Sequence, residues 1–146
     1  MSSPLTIVML NVAVPSRISG FEEGVRALVD AGHTVHVVGL RKLDADDWPV
    51  EETVWLGPAV LPKGKGPLGR ARVRVWPGSV ARQLDRAARR SRETQRLLDS
   101  ADLVVAVDRA SVPTLWRSSR RRRDVPHIFG IASAVTIYRD PSLLER

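Results

Sequence analysis

LTIVMLNVAVPSRISGFEEGVRALVDAGHTVHVVGL, residues 5–40, is the stretch whose reading decides the fold. Leu5, Ile7, Val8, Met9, Leu10 and Val12 form a nearly continuous apolar run, the pattern of a strand buried on both faces in a parallel sheet. Phe21, Val25, Leu28 and Val29 then recur at helical spacing, so one face of a helix packs back on that sheet. Ala31-Gly32 supplies a residue tolerant of the left-handed conformation at the helix end. Val35, Val37, Val38 and Leu40 begin a second strand. Strand, loop, helix, tight turn and strand make one βαβ unit, and the chain is of the α/β class.

Outward from that unit, the pattern continues. Arg41 to Pro49 is a polar connection, and Thr53 to Leu56 predict a short third strand closed by Gly57-Pro58. Pro62 to Gly69 combines helix- and strand-breaking residues with Lys63 and Lys65, a surface loop able to close over an anionic ligand. Ser79 can cap a long helix running to about Ser100, with Val80, Leu84, Ala87, Ala88, Leu97 and Leu98 on its apolar side. Arginines 82, 86, 89, 90, 92 and 96 form the other side, partly neutralised by Asp85, Glu93 and Asp99. Leu103 to Val107 predict a fourth strand between Asp102 and Asp108. Ser111 caps a short helix with Pro113 in its first turn, Leu115 and Trp116 facing inward, and arginines 117 and 120–123 at its end, where they suit the macrodipole. Val125 to Ile131 predict a fifth strand, and Ala132 to Arg146 a loop with a helical turn near Pro141. The expectation is one Rossmann-like, three-layer α/β/α domain over residues 1–146, with a mainly parallel sheet of about five strands.

Composition narrows the function. The chain has 146 residues, a 43% apolar share and no cysteine, which suits one domain with a proper core and excludes disulfides and thiol catalysis. No apolar run approaches the ~20 residues of a membrane span, and MSSPLT lacks the basic start of a signal peptide. A cytoplasmic protein is expected. The net charge of +7 is carried almost wholly by arginine. It fits either a compositional bias or attraction to phosphate-bearing ligands, a transient anionic membrane surface or an acidic partner. Nucleic acid is disfavoured, since no aromatic residues interleave the arginines for base stacking.

Ligands of open parallel sheets bind beyond the carboxyl ends of the strands, near the reversal of strand order. That rule selects the loop Asn11 to Gly20, the end of the second strand at Arg41, the turn Asp108-Arg109-Ala110-Ser111, and the turn Gly130 to Ser133. The first loop lacks G-x-G-x-x-G and no acidic residue ends the second strand, so nicotinamide and flavin cofactors are disfavoured. There is no P-loop, no acidic receiver site and no G-x-S-x-G elbow. Ser19-Gly20-Phe21-Glu22 at a helix start offers small residues and free amides to an anion. Against that, Ser19 serves equally as a plain cap and Glu22 as a favourable charge. His33, His36 and His127 lack metal-ligand spacing and an evident carboxylate partner, and are assigned to structure rather than to a metal. Asp108, at the tip of a buried strand, is either a ligand contact or the cap of the following turn.

These residues resemble the N-terminal domain of GT-B glycosyltransferases, family 4 in particular. Such domains open with a strand, a proline-containing loop and a G-G-x-E helix start, and continue to a G-H-x-V-x-V turn and strand. The counterparts are Pro15, then Ser19-Gly20-Phe21-Glu22, then Gly32 to Val37. Ala101 to Asp108 is similar to the strand leading to the family's central loop, and Val125 to Ile128 to the strand after it. Ser19 departs from the family's first glycine and narrows the room beside a diphosphate. The strand ending at Ile131 also lacks the histidine or acidic residue often found just after it.

The resemblance implies an acceptor-side lobe. In the family a second Rossmann domain binds most of the nucleotide sugar, partly through paired glutamates, and this sequence stops where that domain would begin. The expectation is therefore half of a hexosyl-transferring enzyme completed by a donor-domain partner chain, with nucleotide sugar as co-substrate and no resident cofactor. Ser19, Gly20, Glu22, Asp108 and Arg109 would line the acceptor side, with no catalytic residue assigned. The alternatives are a catalytically silent interaction module that assembles as a homo-oligomer, and, ranked below it, an anionic-surface binder.

Overall fold

The computed structural model describes residues 3–13, 18–40, 49–57 and 80–139, with Tyr138 and Arg139 by backbone alone. Arg41, the loop Pro62 to Gly69, the Ser79 cap and the turn near Pro141 lie outside them. Five strands, β1 (Thr6–Asn11), β2 (Thr34–Gly39), β3 (Glu52–Trp55), β4 (Leu103–Ala106) and β5 (His127–Phe129), form one sheet in the order β3-β2-β1-β4-β5. All four pairings are parallel, with Thr6 opposite Thr34 and Ile7 opposite Leu103 setting the central registers. Between them run α1 (Phe21–Asp30), α2 (Val80–Arg90), α3 (Arg92–Ser100) and α4 (Val112–Arg121), and α5 (Ile131–Arg139) follows β5. No helix among the described residues is long and apolar enough to cross a membrane.

The apolar run of β1 explains the layering. Successive side chains of a strand point to opposite faces, and Ile7 to Leu10 are each at most 1% exposed. Ile7 and Met9 join Val35, Val37 and Val105 under Phe21, Val25 and Leu28 of α1 and Ile131 of α5. Val8 and Leu10 join Val38 and Val104 under Leu97, Leu98 and Leu115 of α3 and α4. Leu84 of α2 packs with Val12 and Leu40. The end of α1 follows the expected chemistry. Gly32, at φ 90°, donates to Val29, and His33 donates to Leu28, which satisfies two otherwise orphaned carbonyls.

Four expectations are corrected. The helix expected from Ser79 to Ser100 is two helices, because Ser91 turns extended and its hydroxyl accepts from the Thr94 amide at 3.1 Å. A mid-helix serine offers the backbone this alternative, and the break rephases the buried side from Leu84 and Ala88 to Thr94, Leu97 and Leu98. Gln95 then donates to the Ala88 carbonyl at the end of α2. Trp116 faces outward, 59% exposed, since α4 buries Thr114, Leu115 and Ser118, and the Arg120 guanidinium lies 4.7 Å from its ring centre. The fifth strand is three residues long. Ile131 instead begins α5 across the stretch expected to be loop, because its side chain is needed against α1.

His36 has the carboxylate neighbour the sequence did not reveal. Glu52 is its register partner on β3, with Oε2 3.7 Å from Nδ1, and Arg96 pairs with the other oxygen. His33 ties the sheet's entry, its Nδ1 accepting from the Leu5 amide at 3.0 Å. His127 bonds through its two ring nitrogens to the Val125 carbonyl and the Ser118 hydroxyl.

Two measurements follow. A Cβ on Gly24 of α1 would lie 2.6 Å from Cγ1 and 2.7 Å from Cδ1 of Ile131. Gly24→Ala gains about 1 kcal/mol of helix propensity but overpacks at a cost of about 1–3 kcal/mol. Urea denaturation should show net destabilisation that vanishes in an Ile131→Ala background. Burial holds the pKa values of His33 and His127 below the ordinary 6.5. The unfolded chain therefore takes up protons first as pH falls, and stability present above pH 6.5 declines below it. His33→Asn, which keeps an acceptor for Leu5 and cannot titrate, should flatten the decline of Tm between neutral and mildly acidic pH.

Candidate functional site

Parallel pairing throughout brings the carboxyl ends of the strands to one edge of the sheet. Strand order reverses between β1 and β4, the place where such sheets hold ligands. Val12 and Ala13 after β1 with the start of α1, and the turn after β4, are the two lips of that switch point. A 3-10 turn, Arg109–Ser111, leads from β4 into α4.

Asp108 joins the lips. Its Oδ2 accepts from the amides of Val12 at 2.7 Å and Ala13 at 2.8 Å, and its Oδ1 accepts from the Ser111 amide at 3.0 Å. The Ser111 hydroxyl donates back to the Asp108 carbonyl at 2.8 Å. Of the two roles expected of Asp108, the cap is observed, and the same carboxylate also reaches across the switch point. Successive backbone amides of this kind form an anion-binding nest, and here the protein's own carboxylate fills it. A ligand phosphate at these amides would have to displace a charge-assisted set of bonds.

The other lip begins α1. Gly20, not Ser19, is its N-cap, at φ 72°, a left-handed conformation open to glycine, and no side chain caps the helix. The Phe21 and Gly24 amides are satisfied by the Ile18 and Gly20 carbonyls. Ser19 and Gly20 are exposed. Glu22 is an exposed i,i+4 partner of Arg26 at 2.9 Å, worth about 0.3–0.5 kcal/mol. Arg109 is exposed on the turn after β4. The structure therefore brings Ser19, Gly20, Glu22, Asp108 and Arg109 to one sheet edge. Of these, Asp108 is committed to holding the edge together.

Sequence reasoning passed over the pair beside this switch point. Asn11 ends β1 opposite Gly39, the last residue of β2. Asn11 is fully buried, its Nδ2 donates to the Ala13 carbonyl at 3.1 Å, and its Oδ1 has no hydrogen-bond partner. A Cβ at position 39 would lie 2.6 Å from that oxygen, so the position requires glycine. Equal-length apolar runs ending in Asn and Gly were the available signal. Three of the four exposed large apolar side chains among the described residues also stand on this edge: Trp55 and Phe129 close the outer strands, and Val112 opens α4. The Trp55 indole donates to the Leu40 carbonyl, which fixes its ring there.

Asp108→Ala strips the acceptor from the Val12 and Ala13 amides and leaves Ser111 only the residue 108 carbonyl at 3.2 Å, at about 1–3 kcal/mol for each buried group left unsatisfied. We expect a loss of about 3 kcal/mol by denaturation, with amide exchange accelerating first at Val12, Ala13 and Ser111. Unchanged exchange there would remove Asp108 as the tie between the lips. No protein-family model matches this chain, and no relative is found among curated proteins.

Proposed function

We propose that this chain is the acceptor-side lobe of a two-lobed glycosyltransferase of GT-B type, working opposite a second Rossmann-like lobe that holds the nucleotide sugar. The observation that carries the reading is the filled nest at the switch point. With Asp108 on the Val12 and Ala13 amides, this edge repels a diphosphate where a dinucleotide-binding sheet would attract one. It leaves small residues, a left-handed glycine and exposed polar groups, which suit a hydroxyl-bearing acceptor. The resemblance of Gly32 to Val37 and Ala101 to Asp108 to the family's motifs points the same way. Sugar transfer in a cleft between lobes rests on positioning and on stabilising developing charge, and Arg109 stands where it would face the second lobe.

The exposed Trp55, Val112 and Phe129 favour a counterpart on this edge. They equally favour the second reading, a catalytically silent assembly module whose partner is another copy of itself.

Amide chemical-shift mapping separates the two. Titration with simple glycosides and sugar alcohols should perturb Ala13, Gly20, Glu22 and Arg109, with nucleotide sugars binding these residues more weakly. Concentration-dependent self-association that broadens the same amides, with no response to any sugar, would replace the first reading with the second. Nucleotide sugars binding tightly at Val12 and Ala13 would overturn the acceptor-side assignment.

A further inference from the structure

We infer that the cleft between α2, α3 and α4 binds a phosphoryl group. The cleft runs away from the carboxyl edge along α4, from Thr114, about one turn beyond Ser111, to Arg121, about 15 Å beyond it. Its inner part has a volume of about 140 Å³ and is lined by residues of all three helices, including Arg89, Arg117, Arg121 and Thr114. It opens into a shallower groove of about 590 Å³ that adds Arg90, Arg92 and Arg96. Seven arginines and two aspartates, Asp85 and Asp99, line the two together.

The ion pairs do not use up the donors. Asp85, 7% exposed, takes a two-pronged contact from Arg117, at 2.9 Å to each oxygen. That pair fastens α2 to α4. Arg89 stands 3.6 Å from the same carboxylate and Arg121 3.6 Å from Asp99, attractive as charges but too long for hydrogen bonds. Arg121 donates at 2.6 Å to Gln95, and Arg122 is held by Asp124 and the Leu98 and Asp99 carbonyls. A guanidinium carries five N–H donors, so Arg89 and Arg121 keep donors for a further acceptor.

A second observation comes from an uncharged group. Thr114 lines the inner cleft, its residue is 4% exposed, and its hydroxyl oxygen is buried beside the cleft with no hydrogen-bond partner. Buried hydroxyls are nearly always satisfied. An oxyanion seated beside Thr114 gives that hydroxyl an acceptor once the lining shifts to admit it. The inner volume admits one tetrahedral group and not a peptide, and the cationic groove beside it takes a second phosphoryl group of the same molecule. Arginine forks match phosphate oxygens in pairs. The ligand class is therefore a phosphate monoester or diphosphate, free or as a lipid headgroup.

The test compares the full chain with Thr114→Val and Arg121→Gln. Pyrophosphate should raise Tm beyond sodium chloride at matched ionic strength, and calorimetry should show its affinity falling about tenfold in Arg121→Gln. Thr114→Val should hold or raise the Tm of the unliganded protein, since it deletes an unsatisfied hydroxyl, while shrinking the pyrophosphate response. A purely structural role moves both quantities together. Co-sedimentation with phosphatidic acid vesicles but not phosphatidylcholine vesicles, lost in both variants, would assign the group to a lipid headgroup. A response no larger than that to chloride, with no variant-sensitive vesicle binding, would overturn the site. So would variants that bind like the parent, or tighter binding of an oligonucleotide lacking a terminal phosphate.

Discussion

The two-sided burial of β1 is the constraint on which the remaining architecture depends. A strand buried from its second residue to its last needs a helical layer above and below and a partner strand on each side. Parallel pairing meets that need because each connection passes through a helix. Val8, Met9 and Leu10, at zero exposure, therefore specify the position of α1 and α5 on one face and of α3 and α4 on the other. The same constraint gathers the carboxyl ends of the strands on one edge. The candidate site is a by-product of burying β1.

The parts of this plan legible in the sequence are those set by local, repetitive physics. Strands buried on both faces write unbroken apolar runs, and Gly32 announces a helix end by its backbone freedom. What the sequence concealed depends on contacts distant along the chain. The start of α5 at Ile131 is set by the space that Gly24 leaves on another helix, and no window around residue 131 contains that information. Trp116 looked like core by its chemistry, yet one helical step separates it from the buried Leu115. The break at Ser91 was legible in principle, since a serine amid arginines supplies its own cap.

The site was legible in place but not in direction. Strand ends pointed to Asp108 and to the start of α1, while the partner of Asp108 lies 96 residues away on Val12. Only the sheet order makes those two neighbours. The arginines divide in the same manner. Composition reported an excess of charge, whereas the fold distributes it: Arg117 to a buried aspartate, Arg122 to the carbonyls that end α3, Arg120 to an indole face. Among the described residues, Arg89, Arg90, Arg92 and Arg121 gather along one cleft.

The Asp108 clamp also has a mechanical meaning. Because one carboxylate grips amides on both lips, Val12 and Ala13 cannot move away on their own; they travel with the turn that launches α4, or two bonds part. A guest that tugs on Val12 or Ala13 thus works against a tie anchored at the turn before α4.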